Sequence, residues 1–136
     1  MTTVQIKTAP VQLPGLPQES QSLRLIVAGH ACYGEKGKDI VCAAESILVQ
    51  SLAAALAGLD EQQLFDLAVD GVAGSGCVAI TALPTPTGFE RVRGMFETAC
   101  TGFCLLAKAY PAHVRVLRVW LAAEQNHHEG EEQHSA

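Results

Sequence analysis

LRLIVAGHACYGEKGKDIVCAAESILVQSLAAALAG, residues 23–58, holds the change of periodicity on which the fold turns. LRLIVAGHA (23–31) is aliphatic and breaks at Gly29, so it reads as a strand that delivers His30 to its end. CYGEKGK (32–38) has no apolar period, and Gly34 and Gly37 are its flexible points, so it reads as a loop. From Asp39 to about Ala57 the pattern turns helical, with Asp39 a good N-cap and Gly58 a good stop. This helix is apolar almost all round, apart from Glu45, Ser46, Gln50 and Ser51, which predicts burial on more than one side.

Working outward, VQIKT (4–8) alternates as a short strand, and PVQLPGLPQES (10–20) carries three prolines that mark a loop. LFDLAVD (64–70) and CVAITAL (77–83) read as strands flanking a hairpin connection, GVAGSG. TPTG introduces a second helix from about Phe89 to Tyr110, Pro111 stops it, and HVRVLRVWLA (113–122) is a last strand with basic residues spaced along it. No internal repeat is visible. The order β-β-α-β-β-α-β predicts an α+β fold: a single domain over residues 1–123 with a mostly antiparallel sheet packed with two helices. Residues 124–136 read as an acidic, disordered tail.

A chain of 136 residues buries enough surface to fold without disulfides or metal. The net charge of -5 is set by the tail, which holds four glutamates and no Lys or Arg. The rest, with 9 basic and 10 acidic residues, offers no footprint for direct nucleic-acid binding. MTTVQIKTAP lacks the basic and apolar regions of a leader. The longest apolar run, ILVQSLAAALAGL, has 13 residues, short of the roughly 20 that span a bilayer. These features predict a cytoplasmic protein without a membrane partner, its five cysteines reduced.

Cys42 falls at the third helical position if Asp39 is the cap. There the helix dipole is expected to lower the thiol pKa from about 8.5, and amides at the helix start are available to an oxyanion. Ser46 lies one turn later on the same face, Asp39 three residues earlier, and His30 at a strand end is positioned to act as a base. Thiol, base and orienting polar group are what a cysteine nucleophile requires. Each has a plainer reading: Cys42 as a small core hydrophobe, Asp39 as a cap alone, Ser46 as a back-bonding helix residue. Cys100 and Cys104, spaced i, i+4, read as core, and Cys77 as a buried strand residue. His30 and Cys32 with Cys42 make a poor metal set, His127, His128 and His134 read as a solvated tail, and GVAGSG lacks the ending of a phosphate loop. No metal or cofactor is expected. Arg115 and Arg118 meet solvent or a dimer partner.

GHA (29–31) followed by Tyr33, Gly34 and Gly37, then DIVCAA (39–44) with Ser46, resembles the ribosomal-processing cysteine protease family Prp. GFCLLAKAYPAHVRV (102–116) is similar to that family's second helix, closing Tyr-Pro and final strand, so the likeness spans roughly residues 4–119. The resemblance implies that Cys42 is the nucleophile and His30 its partner, that Asp39 and Ser46 support them, and that Gly29 permits loop movement. It also implies a homodimer that removes a short N-terminal extension, apolar and aromatic near the cut, from the large-subunit ribosomal protein number 27. Two positions depart from the family pattern. Cys32 stands where glycine is frequent, and reads as an inert loop thiol unless oxidised onto Cys42. Glu45 stands where an apolar residue is frequent, and reads as solvated unless its charge faces the sulfur and raises the thiol pKa. A non-catalytic, ribosome-associated peptide-binding module and a thiol redox sensor are the alternative readings.

Overall fold

Thr2, Val4, Ile6 and Thr8 are buried while the residues between them are half-buried, the period-two pattern of a strand with one face on a core. The computed structural model describes residues 1–17, 20–72, 76–120 and 131–134. The first strand, β1 (Thr2–Pro10), pairs antiparallel with β2 (Gln21–Gly29), in register from Thr2↔Gly29 to Pro10↔Gln21. This ladder is longer than the strand expected at 4–8, and Pro10 forms its final rung, where a missing amide donor costs least.

α1 (Ile40–Ala57) follows β2, and the hairpin of β3 (Leu64–Gly71) with β4 (Cys77–Pro84) comes next. α2 (Phe89–Ala109) then returns the chain to β5 (Val114–Trp120), which pairs parallel with β1. With β6 (Glu131–His134) the sheet order is β3-β4-β2-β1-β5-β6. The α+β order expected from the sequence is the observed one, in a mostly antiparallel sheet. The tail departs from expectation at Glu131–His134, which pair antiparallel with β5 from Val116↔His134 to Val119↔Glu131. The open edge of β5 presents unpaired amides and carbonyls that a following segment can satisfy. Residues 121–130 of the last strand and tail, and 73–75 of GVAGSG, lie outside the described residues.

Val4 and Ile6, Leu23, Leu25 and Val27, Val78 and Ile80, Val114 and Val116 form the sheet side of one core. The helices close it with helical-spaced stripes: Val92, Phe96, Cys100, Phe103 and Ala107 on α2, and Val41, Glu45, Val49, Leu52 and Leu56 on α1. Gly102 lets the two helices approach, since a Cβ there would run into the Leu48 side chain. Contrary to the expectation of burial on several sides, α1 buries this single stripe and leaves Ile40 57% and Ile47 60% exposed. Alanines on its outer face raise its hydropathy without needing a packing partner. By length and composition α1 is apolar enough to cross a membrane, yet its stripe is engaged in the core. Arg118 ties β5 to α2 through a 2.7 Å ion pair with Glu97.

Gly94 stands mid-helix in α2 with open space where a Cβ would go. Gly94→Ala is therefore expected to raise stability by about 0.5–1 kcal/mol, read as an upward shift of the urea midpoint at unchanged slope.

Candidate active site

The strand-to-loop bend that presents His30 is built on Gly29. Its φ is +94°, its amide donates to the Gly76 carbonyl at 2.8 Å, and a Cβ would collide with the Met1 carbonyl oxygen. Only glycine meets all three conditions. Past the bend His30 is exposed, and its Nε2 would lie 3.1 Å from a Cβ at Gly76, so the ring covers the start of β4.

Asp39 ties the following loop to α1. Its Oδ1 accepts from the amides of Val41 and Cys42, both at 3.0 Å, and its Oδ2 accepts from Tyr33 at 2.9 Å and Gly34 at 3.1 Å. The cap reading of Asp39 is therefore correct but incomplete, because the same carboxylate also folds the loop back onto the helix. Burial opposes its charge, but the bonds from Cys42, Gly34 and Tyr33 outweigh burial and hold the carboxyl down to about 2. The amides of Val41 and Cys42 are thereby occupied, so they are not the free oxyanion donors that the sequence suggested.

A second clamp holds the other end of the loop. His113 Nδ1 lies 2.8 Å from the Ala31 carbonyl oxygen, and Tyr33 packs edge-on against both Tyr110 (5.0 Å) and His113 (5.3 Å). The peptide so held matters, because the Ala31 amide favours the ionised form of the Cys42 thiol. Cys32 follows in the left-handed region, φ +55°, with its side chain exposed. None of Tyr33, Tyr110 or His113 has a local sequence signal for this role, since their partners are 77 to 82 residues apart or brought together by β5.

Cys42 is half-buried, and its thiol departs from expectation: it is raised, not lowered. Burial contributes most, the Ala31 amide opposes it, and the charge and hydrogen bond of Asp39 and the charge of Glu45 add to the rise. Burial leads the rise, and the two carboxylates add to it, so the lowering expected at a helix start is not what the site shows. Glu45 itself, read as solvated, is only 6% exposed. Val41, Glu45 and Val49 are spaced by four, and that spacing alone places Glu45 on the buried stripe. Because protonated thiol is the dominant form below its raised pKa, alkylation of Cys42 by iodoacetamide is expected to be slow at pH 7. The rate should climb as pH passes above the ordinary thiol range, and Glu45→Gln should speed it at pH 7. Mass spectrometry of the Cys42 peptide separates this from the exposed Cys32 and Cys77.

Two cavities meet at the sulfur. An inner one of about 30 Å³ is lined by Cys42, His30, Glu45, Ser46, Gly76 and Cys77, among others. An open cleft of about 700 Å³ is lined by His30, Cys32, Gly34, Asp39, Cys42 and Ser46, among others. The structure thus brings His30, Cys42 and Ser46 to both cavities, with Asp39 lining the cleft and Gly29 the smaller cavity. Cys77 is exposed there instead of buried, as the first residue of β4 and part of the smaller cavity's lining. Cys100 is buried in the core as expected, and burial pushes its thiol far up.

Comparison of the sequence with curated proteins returns no match. Among solved structures, the chain is similar to an essential ribosomal processing protease Prp from S. aureus in complex with a covalently linked product peptide. That likeness has 24% identity and a TM-score of 0.59 over 85% of this chain and 97% of that one. It is also similar to SMU.848 from Streptococcus mutans, with 26% identity and a TM-score of 0.58 over 88% and 95% of the two chains. The S. aureus protease in complex with a substrate peptide gives 23%, 0.55, 87% and 99% in the same terms. The two S. aureus likenesses are ones of fold. The model of the family described as cysteine protease Prp matches residues 16–115, from ahead of β2 through both helices to β5. That stretch holds the bend at Gly29, the Asp39 clamp and the Cys42 helix start, and by it this chain belongs to the cysteine protease Prp family.

Proposed function

We propose that this chain is a cysteine endopeptidase that removes the N-terminal extension of the large-subunit ribosomal protein number 27, with Cys42 as nucleophile and His30 as general base. The observation that carries the reading is the Cys42 thiol at the meeting of an open cleft and a small inner cavity, with His30 lining both. The similar S. aureus structures, which hold a product and a substrate peptide, support a peptide in the cleft.

Because the free thiol is held protonated, its proton must leave as the sulfur attacks. His30 accepts that proton, Sγ bonds to the scissile carbonyl carbon, and the carbonyl oxygen takes the electron pair. His30 then gives the proton to the departing amine as the C–N bond breaks, leaving a thioester. Water, deprotonated by His30, attacks the thioester, and the thiol regains its proton. The Ala31 amide favours the ionised sulfur, and so steadies the negative charge that develops there. Asp39 acts through position, holding both the loop and the helix start.

The work belongs in the cytoplasm, where nascent ribosomal proteins meet reduced thiols. A homodimer would cover the exposed stripe of Ile40, Ala43, Ile47 and Ala54 on α1, and light scattering at micromolar concentration tests it. The test of function is a peptide spanning the host protein's extension and mature start, incubated with reduced protein and analysed by mass spectrometry. Cutting at one bond before the mature start is the expected result. A folded, reduced protein that cuts nothing while binding the peptide would establish the non-catalytic module instead.

A further inference from the structure

The loop between His30 and Cys42 is strained at one residue. Cys32 sits in the left-handed region at φ +55°, a conformation that is unfavourable for a residue with a Cβ and persists where its surroundings fix it. Asp39 fixes the chain just after Cys32, through the amides of Tyr33 and Gly34. His113 fixes it just before, its Nδ1 lying 2.8 Å from the Ala31 carbonyl oxygen. A carbonyl oxygen only accepts, so Nδ1 carries the proton and donates. His113 is itself a firm post: its amide donates to the Tyr110 carbonyl at 2.9 Å, and its own carbonyl accepts from the Thr2 amide at 2.8 Å.

Ala31 is thereby pinned. Its side chain is fully buried in the core, its carbonyl is tied to His113, and its amide favours the ionised form of the Cys42 thiol. Without the His113 donor the carbonyl would be left unpaired beside a half-buried ring, an arrangement that turning toward water relieves. Such a turn, helped by release of the strain at Cys32, would carry the Ala31 amide with it. We infer that His113 is a positioning residue for Cys42, holding through the Ala31 carbonyl the strained stretch that presents His30 and the Ala31 amide at the sulfur. It acts from 82 residues along the chain, through the loop. The role does not depend on what the cleft cuts, because the reactivity of the sulfur itself reports it.

The test is the rate at which iodoacetamide alkylates Cys42 across pH, followed on the Cys42 peptide by mass spectrometry, in His113→Phe and His113→Asn. Phenylalanine keeps a ring edge-on to Tyr33, and Asp39 still folds the loop onto α1. The burial of the sulfur is therefore retained and only the donor is lost. Asp39 and Glu45, the charges that raise the thiol, are the same in both variants. His113→Phe is expected to slow alkylation at pH 7 about fivefold, the size of one hydrogen bond, and to move the rise in rate to higher pH by the matching amount. Asparagine places an amide nitrogen where Nδ1 stands, so His113→Asn should stay within about twofold of wild type, well inside that one bond. An unmodified Cys100 peptide, from a residue 2% exposed, reports that each variant is folded. A proton–nitrogen correlation spectrum of histidine-labelled wild type in mild alkali needs no variant, and should show the neutral His113 ring protonated at Nδ1. Unchanged or faster alkylation of Cys42 in folded His113→Phe, an asparagine variant as slow as the phenylalanine one, or a wild-type ring protonated at Nε2 each overturns the inference.

Discussion

Cys42→Ala is expected to abolish cleavage of the extension peptide, lowering kcat by on the order of 10⁴–10⁶, as loss of a nucleophile does elsewhere. Peptide affinity should stay within about threefold, since no hydrogen bond to a neutral backbone is removed. The fold has little reason to change. Cys42 is only half-buried, its amide is held by Asp39 and not by its side chain, and alanine suits a helix interior. His30→Ala should cost less, roughly 10²–10⁴, the range of a general base, because hydroxide and water can still remove some of the thiol proton. The difference between the two variants is informative. A protein whose thiol is raised by burial and two carboxylates depends on its base at neutral pH and less so in alkali, where the sulfur ionises unaided. The deficit of His30→Ala should therefore shrink as pH rises, whereas that of Cys42→Ala should not. A His30 deficit independent of pH would place the base elsewhere.

How much of this was legible beforehand follows the range of each interaction. The Asp39 cap, the helix after it and the stop at Gly58 are local, and the residues announce them. The hairpin ladder from Thr2 to Pro10 is also local, but its length is set by pairing with Gln21–Gly29 across a proline-rich loop that hides it. What the sequence did not convey are contacts made by topology. β1 lies between β2 and β5, which puts Thr2 against Glu45 and His113 against Ala31, 43 and 82 residues apart. The sign of the Cys42 shift was lost for the same reason. A dipole argument considers one helix, whereas burial by the sheet and by the folded-back loop decides the outcome. Glu45 is legible by spacing, since Val41, Glu45 and Val49 mark the inward stripe, although its charge points the other way.

Asp39→Ala is expected to lower stability by about 3–4 kcal/mol, combining a lost N-cap with two further amide donors left without an acceptor. Four backbone amides converge on this carboxylate, two from α1 and two from the loop, so no neighbouring group replaces it. The same geometry fixes the pH response. The carboxyl sits at about 2 in the folded chain, below its ordinary value near 3.9 when unfolded. Its stabilisation is therefore complete above about pH 4 and disappears as pH falls from about 4 to 2, a loss of about 2–3 kcal/mol. Urea unfolding of wild type between pH 6 and pH 2.5 should show this decline, and Asp39→Ala should lack that part of it. Asp39→Asn removes the charge but keeps one of the two acceptor oxygens, enough for either the helix start or the loop and not for both. It should cost less stability than alanine, about 1–2 kcal/mol, and at pH 7 it should make the Cys42 thiol react faster with iodoacetamide, since the Asp39 charge raises that thiol. A weaker fold with a more reactive thiol does not arise from global opening if the Cys100 peptide stays unmodified. Cys100 lies in the core at 2% exposure and reports any global opening. Unchanged Cys42 reactivity in Asp39→Asn would mean that burial by itself holds the proton on the sulfur, and that the carboxylate beside it serves only to fold the loop.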